Sequence, residues 1–487
     1  MRNLVHFTFC LSFAFSAFQA HAGDDSTPNR IRVSQPGAAE AENMRHEVRE
    51  HISFTYQKID LESVSATDTG MDQLVLKEDD GVAEFTPPPS DEPTGFKAIR
   101  GDDPGFNDFQ QVGQGSVAYE WMGAYIDNEL QNHVVGYAYV INGGGAPQHW
   151  NADGYAQTPE DGNLDMSIYT RSFVASVTKQ ITSVATVKIL DAAGLSIDTY
   201  IKDYLPAGWA KGNGVNSLKF RHLLTHSTGW GQLWNTLTEE EQEDWNNGWD
   251  GLKYVVSLDA APGSAYSYKN ANTALLRVLI PQIWVQMGGA PYTEVTEGNH
   301  DLIYLAYVQN NIFEPAGIYN VACWMQSGEE EALAYSFDHA DTGGIEHEIH
   351  LGEGCGGHAG LRLSAYELAK YLAYLRHSDE IVTLSQLSLI NSQALGWDYA
   401  DDGKYTKSGG WFSTYTVDLG LNESNGLYID LPLQLNTTFE YQKESRACVA
   451  MLPYNVEASL IINSEYEGGG DISPCGILLD AFNFAAN

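Results

Sequence analysis

Strand-like runs stand at both ends of one long stretch of this chain, with helical patterns between them. VVGYAYVINGGG (134–145) is a β-rich run closed by glycines. Just before it, SVAYEWMGAYIDNELQ (116–131) places Val117, Trp121, Tyr125 and Ile126 at helical spacing. Near the other end, RACVAML (446–452) and EASLIINS (457–464) read as strands, and GILLDAFNFAA (476–486) reads as an apolar helix. This distribution predicts an α/β (α+β) sheet domain with a helical insertion, over residues 110–487. The chain has 487 residues, 43% of them hydrophobic, enough for one large core and incompatible with global disorder. No fixed-period repeat is present.

The upstream part differs in texture. Residues 1–22 hold one early arginine, an apolar run from Leu4 to Phe18 and Ala20-His21-Ala22, the pattern of a secretory signal peptide with its cleavage site. That run is too short to span a bilayer. Residues 23–109 include AAEAE, KEDDG and three consecutive prolines at 87–89, and read as a low-complexity leader or linker. The formal charge of −38 argues against nucleic acid and against an anionic membrane face as partners. A secreted or periplasmic location follows from the signal. Cys323, Cys355, Cys448 and Cys475 remain after its removal; three pairings are possible, and sequence proximity favours Cys323–Cys355 with Cys448–Cys475.

Chemistry centres on SVTKQITSVATVKILDAAG (176–194). Ile181, Val184, Ala185, Ile189 and Leu190 recur at helical offsets, and Gly194 is a natural stop. On such a helix Ser176 and Lys179 share a face in the first turn, near free N–H groups. A serine hydroxyl is a weak nucleophile until a base takes its proton, and a lysine can do so once burial or a neighbouring cation lowers its pKa. The pair alone is a weak signal, since about one S-x-x-K arises by chance in a chain of this composition.

Two further boxes follow in order: Tyr268-Lys269-Asn270 within APGSAYSYKNAN, and Lys407-Ser408-Gly409, then Gly410, within YTKSGGWFST. The set S-x-x-K, Y-x-N, K-[ST]-G resembles the serine penicillin-recognising family: class C β-lactamases, DD-peptidases and family VIII esterases. SLKFRHLLTHSTGW, NIFEPAGI, GGHAGLRLSAYELAKYL and LGW also match in order. The resemblance implies a β-lactamase/transpeptidase-like fold, an antiparallel sheet flanked by helices plus an all-helical region. It implies Ser176 as the acylated nucleophile and Lys179 as the group that accepts its proton or tunes that transfer, with the general base left open. Tyr268 is implied as general acid or base, its phenolate favoured by Lys179 and Lys407. Asn270 is expected to hold a substrate amide and orient Lys179. Lys407 and Ser408 are expected to line the facing strand, able to bind a substrate carboxylate, and the amides of Ser176 and Gly410 to form the oxyanion hole, with Gly409 between. No cofactor and no metal are implied; the partner is a small-molecule or peptide substrate, and the oligomeric state stays open. Amide or peptide hydrolysis, ester hydrolysis by the same residues, and a non-catalytic binding scaffold are the readings left.

Other features carry blander readings. Lys269 either adds charge near the site or points away, and Trp411 either rims the pocket or packs in the core. His226 in LLTHSTG reads as a hydrogen-bonded structural histidine. HEIH (347–350) puts two histidines three apart near His358; a metal site would need a third ligand and second-sphere support, and no H-E-x-x-H occurs. EEEQED (239–244) reads as a solvated helix start, and Asn422 and Asn436 fit a common glycosylation pattern.

Overall fold

The computed structural model describes residues 96, 117–238, 248–325, 330–346, 354–418, 438–470 and 473–486. All belong to one unit, Pro88–Asn487. The signal segment, HEIH, EEEQED, Asn422 and Asn436 lie outside the described residues, as does the leader apart from Phe96. Phe96 is buried, its ring edge-on to Tyr366 at 5.6 Å.

Among the described residues there are nine strands: β1 Gly136–Gly143, β2 Ala146–Gln157, β3 Leu164–Asp165, β4 Ser172–Phe173, β5 Arg362–Leu363, β6 Tyr399–Asp401, β7 Lys404–Asp418, β8 Thr438–Leu452 and β9 Val456–Ile462. Seven form one sheet in the order β3-β2-β1-β9-β8-β7-β6, every pair antiparallel. β4 and β5 pair separately. The two ends of the stretch therefore meet in the middle of the sheet, where Tyr137 opposes Ile462 and Gly143 opposes Val456.

Alternation along the strands sorts their side chains onto two faces. Tyr137, Tyr139 and Ile141 of β1 join Cys448, Ala450, Leu460 and Ile462 in a small core under two helices, α1 (Tyr119–Leu130) and the C-terminal helix (Pro474–Ala485). The buried stripe of α1 is Met122, Ile126 and Leu130, while Trp121 is exposed and meets Phe484 at the surface. Asp127 of α1 accepts hydrogen bonds from Tyr137, Tyr139 and Asn151, anchoring that helix on the sheet. Ala138, Val140, Ala447, Val449 and Ile461 point to the other face and enter the main core.

That core is mostly helical. It contains α2 (Thr178–Ala192), α3 (Asn270–Ala274), α4 (Leu276–Gln286), α5 (His300–Val308) and α6 (Ala365–His377). The C-terminal helix is α7. α6 lies on the sheet, accepting hydrogen bonds from Asn142 at the Ala369 carbonyl and from Ser459 at the Ala365 carbonyl. Both disulfides are the sequence-proximal pairs: Cys323–Cys355 joins two loops, and Cys448–Cys475 ties β8 to α7.

α2 is buried on all sides, from Thr178 through Val187 and again at Ile189 and Leu190. Ile181, Val184, Ile189 and Leu190 each contribute roughly 1.5–3 kcal/mol by burial. Its polar residues tolerate that environment because they bond within the helix: Thr182 to the Thr178 carbonyl, Ser183 to Lys179, Thr186 to Thr182. Gly194, at φ +69°, ends the helix, and the Leu195 amide closes back on the Leu190 carbonyl at 2.7 Å.

Candidate active site

Ser176 sits just before α2, in a single 3-10 turn, Ala175–Val177. The residue before it, Ala175, has φ +45°, a left-handed conformation that a side chain adopts only under constraint. β7 supplies part of that constraint. A Cβ on Gly409 would lie 2.2 Å from the Val174 carbonyl oxygen and 3.0 Å from the Ser176 nitrogen, so only glycine lets the strand press against this turn. The next residue, Gly410, faces open space and is exposed.

Four predicted side chains converge here. Lys179 Nζ lies 2.8 Å from Ser176 Oγ, and the Tyr268 hydroxyl lies 2.9 Å from that same oxygen. Lys179 Nζ and Lys407 Nζ stand 4.9 Å and 5.3 Å from the centre of the Tyr268 ring. Lys179 is 1% exposed and Lys407 2%. Burial, and then the positive charge of Lys407, drive the Lys179 amine well below the usual lysine pKa, with Asp398 opposing. An amine so placed gives up its proton more readily than a free lysine and, once neutral, can accept one from Ser176.

Tyr268 departs from expectation. Burial, the largest effect, pushes its hydroxyl up; the Ser176 hydrogen bond, next in size, lowers it, and Asp398 and then Tyr266 raise it. Although 38% of the residue is exposed, its hydroxyl is enclosed by Ser176 and the lysines, and Lys179, itself driven toward neutrality, offers little positive charge to a phenolate. The phenol is the favoured form, which suits a proton donor rather than a base.

Asn270 begins α3 and is exposed; the oxygen that shares Lys179 with Ser176 belongs to His358, whose backbone carbonyl accepts from Nζ at 2.7 Å. The loop carrying it is fastened at several points. Gly356 and Gly357 have φ +83° and +74°; Arg277 bonds the Gly356 carbonyl and Thr182 the Gly357 carbonyl; Cys355 is disulfide-bonded. Arg277 is fully buried and paired with Asp301 at 2.7 Å, and His300 meets the same carboxylate.

Three groups in the site were given no part in it by the sequence. Asp398 bonds Lys407 Nζ at 2.5 Å and accepts from the amide and hydroxyl of Ser408 at 3.0 Å and 2.8 Å. Burial alone would raise its carboxyl pKa, but the charge and hydrogen bond of Lys407 and the Ser408 bonds together hold it below the usual range. Lys407 and Ser408, expected to receive a substrate carboxylate, thus already hold one. The second group is His226, at φ +49°, whose ring stacks on Tyr268 at 4.7 Å. Its Nδ1 accepts from the Lys269 amide and faces Asn272 at 3.0 Å; burial, then Lys179 and Lys407, lower its pKa to about 3, so it stays neutral. It is hydrogen-bonded, as read from LLTHSTG, but it also forms one wall of the site. The third is the His358 carbonyl. Their signals were LGW followed by Asp398, LLTHSTG and GGHAG, matched only as landmarks.

Two open questions resolve. Lys269 turns away, its Nζ 4.1 Å from the centre of the Trp234 ring. Trp411 is half-buried, edge-on to the buried Phe173 at 6.4 Å. Among the described residues no group of three or more His, Cys, Asp or Glu could hold a metal.

Known proteins can now be set beside this geometry. The family model described as Beta-lactamase matches residues 122–428, more than half of the chain. The match stops short of β8, β9 and α7, which complete the fold. Among solved structures, EstCE1, a hydrolase with promiscuous acyltransferase activity, is 16% identical; the alignment covers 75% of this chain and 98% of that one, with a TM-score of 0.52. FmtA from Staphylococcus aureus is 12% identical over 81% of this chain and 93% of its own, with a TM-score of 0.50. At such identities the likeness is one of fold. No curated protein matches the chain. An antiparallel sheet flanked by helices, a largely helical second region, and a family match over most of the domain lead to one conclusion: this chain belongs to the beta-lactamase family of serine hydrolases and penicillin-binding-protein-like folds.

Proposed function

We propose that the protein is an exported serine hydrolase that works through an acyl-enzyme on Ser176, cleaving an amide, peptide or β-lactam-like bond. The observation that carries this reading is the 2.8 Å approach of a buried, pKa-lowered Lys179 to Ser176 Oγ. Ser176 Oγ bonds to the substrate carbonyl carbon and its proton passes to Lys179 Nζ. The negative charge on the carbonyl oxygen is held by the amides of Ser176 and Gly410, donors of a kind worth on the order of 100- to 1,000-fold in rate each. As the tetrahedral species collapses, the leaving group takes a proton from the Tyr268 phenol, which Lys179 restores. Water then attacks the ester on Ser176, losing a proton to the same pair, and Ser176 recovers its own. Asn270, exposed beside Tyr268, is available to bind the substrate amide.

A carboxylesterase using the same residues is the second reading, favoured by Asp398 because it occupies Lys407 and Ser408. Export to a secreted or periplasmic location is supported by the N-terminal signal pattern and by two disulfides. Among the described residues, no helix is long and apolar enough to cross a membrane.

Intact-mass measurement after treatment with a fluorophosphonate and, separately, a penicillin tests the reading. A covalent adduct that vanishes in Ser176→Ala supports it, and the reagent that reacts separates ester-like from β-lactam-like preference. Folded protein that takes neither adduct leaves a non-catalytic scaffold in its place.

A further inference from the structure

We propose that Asp398 is a built-in counter-charge that selects uncharged acyl donors, esters or amides with no carboxylate near the scissile carbonyl. This rests on the catalytic reading of Ser176 and narrows what that serine accepts: simple amides and esters are favoured, and β-lactams or peptide bonds beside a free carboxylate are disfavoured.

The cluster around Ser176 is close to neutral in sum. Lys407 and Asp398 form an ion pair at 2.5 Å. Tyr268 is a phenol, and Lys179 is pressed toward its neutral form. Two further cations near the site are engaged or turned away: Arg446, opposite Gly410, pairs with Glu444 on its own strand, and Lys269 lies over Trp234. A substrate carboxylate arriving at Lys407 must displace Asp398 from three hydrogen bonds or lie against a second negative charge.

Asp398 is held in place by the fold. Its amide bonds the Thr406 carbonyl at 2.9 Å, continuing the β6–β7 ladder. Trp397 beside it is buried and donates to Asn391. The Asp398 side chain is one third exposed, so it meets an entering substrate while its bonds stay on the protein. The same carboxylate keeps the Lys407 charge compensated, so a neutral donor pays no penalty for approaching it.

The test compares p-nitrophenyl pentanoate with mono-p-nitrophenyl glutarate, which differ at the end of the acyl chain by a carboxylate. Fluorophosphonate labelling of Ser176 is recorded on the same samples. Wild-type protein is expected to favour the neutral ester by about 10-fold or more in kcat/KM, and Asp398→Asn to reduce that ratio by about 10-fold. Asp398→Ala replaces the asparagine variant if the latter is not recovered folded. Equal use of the two esters by the wild type, or a ratio unchanged by the substitution, overturns the inference while labelling of Ser176 keeps the catalytic reading. Absence of both labelling and turnover removes the catalytic reading and this inference with it.

Discussion

Lys179 is where burial becomes chemistry. Only its neutral form can take the Ser176 proton, so kcat/KM should fall as pH drops through the lowered pKa of this amine. His226 cannot supply that limb if it lies near neutrality, since its pKa is about 3. A pH profile on a p-nitrophenyl ester checks this: Lys179→Ala should abolish the limb with most of the rate, and a limb that persists in the variant would rule the assignment out. The same residue leaves a mark on stability. Its folded pKa lies below the unfolded value, so across the interval between them the unfolded chain binds more protons and stability rises with pH. Relative to Lys179→Met, the wild-type Tm should therefore rise from acid to alkaline pH; a flat difference would contradict neutral Lys179. Ser176→Ala should lower kcat by about 1,000-fold or more with little change in Tm. His226→Ala frees one face of the Tyr268 ring, and misplacing that hydroxyl should cost on the order of 100-fold in kcat.

Elements decide where these residues sit, and here the limits of sequence reading are plain. The helix after Ser176, its glycine stop, the strands at both ends and the order of the three boxes were all legible, because periodicity, turn chemistry and box spacing are local. Asp398 was not: it lies nine residues before Lys407, and only the register Tyr399–Thr406 across the β6–β7 hairpin folds it back onto that lysine. The His358 carbonyl was invisible for another reason, as a backbone group carries no residue-type signal and its position depends on Arg277, Thr182 and a disulfide from elsewhere. At Tyr268 the two nearby lysines favour a phenolate, but burial and the Asp398 carboxylate act the other way and raise the hydroxyl pKa. A prediction belongs at this scale. Arg277→Met takes the guanidinium from the buried Asp301 carboxylate, leaving His300 beside it, and loosens the loop that carries His358, so it should destabilise by roughly 3–5 kcal/mol in denaturant titration. A shift under about 1 kcal/mol would show that the loop does not depend on this pair.

At the scale of the whole molecule, a formal charge of −38 acts on everything at once. Self-repulsion favours expansion, and added salt screens it. Tm should rise by several degrees between low and moderate ionic strength in a thermal scan; a Tm insensitive to salt would mean that the charges are already compensated. The central strand pair joins Gly136–Gly143 to Val456–Ile462, so the middle of the sheet is made from segments more than 300 residues apart. For a chain made from its N-terminus, this sets an order of events. β1 has no partner on one side until β9, more than 300 residues later, has been synthesised, and Ser176 leaves the ribosome long before β8 and β9 can brace the strand that bears Lys407. Contacts of such range slow folding, and until Val456–Ile462 is made the sheet is left as two separate halves, β3-β2-β1 and β8-β7-β6. A ribosome stalled before Val456 would hold a nascent chain whose β1 and β8 edges lack their common neighbour and stay open to proteases, whereas synthesis of β9 would join them.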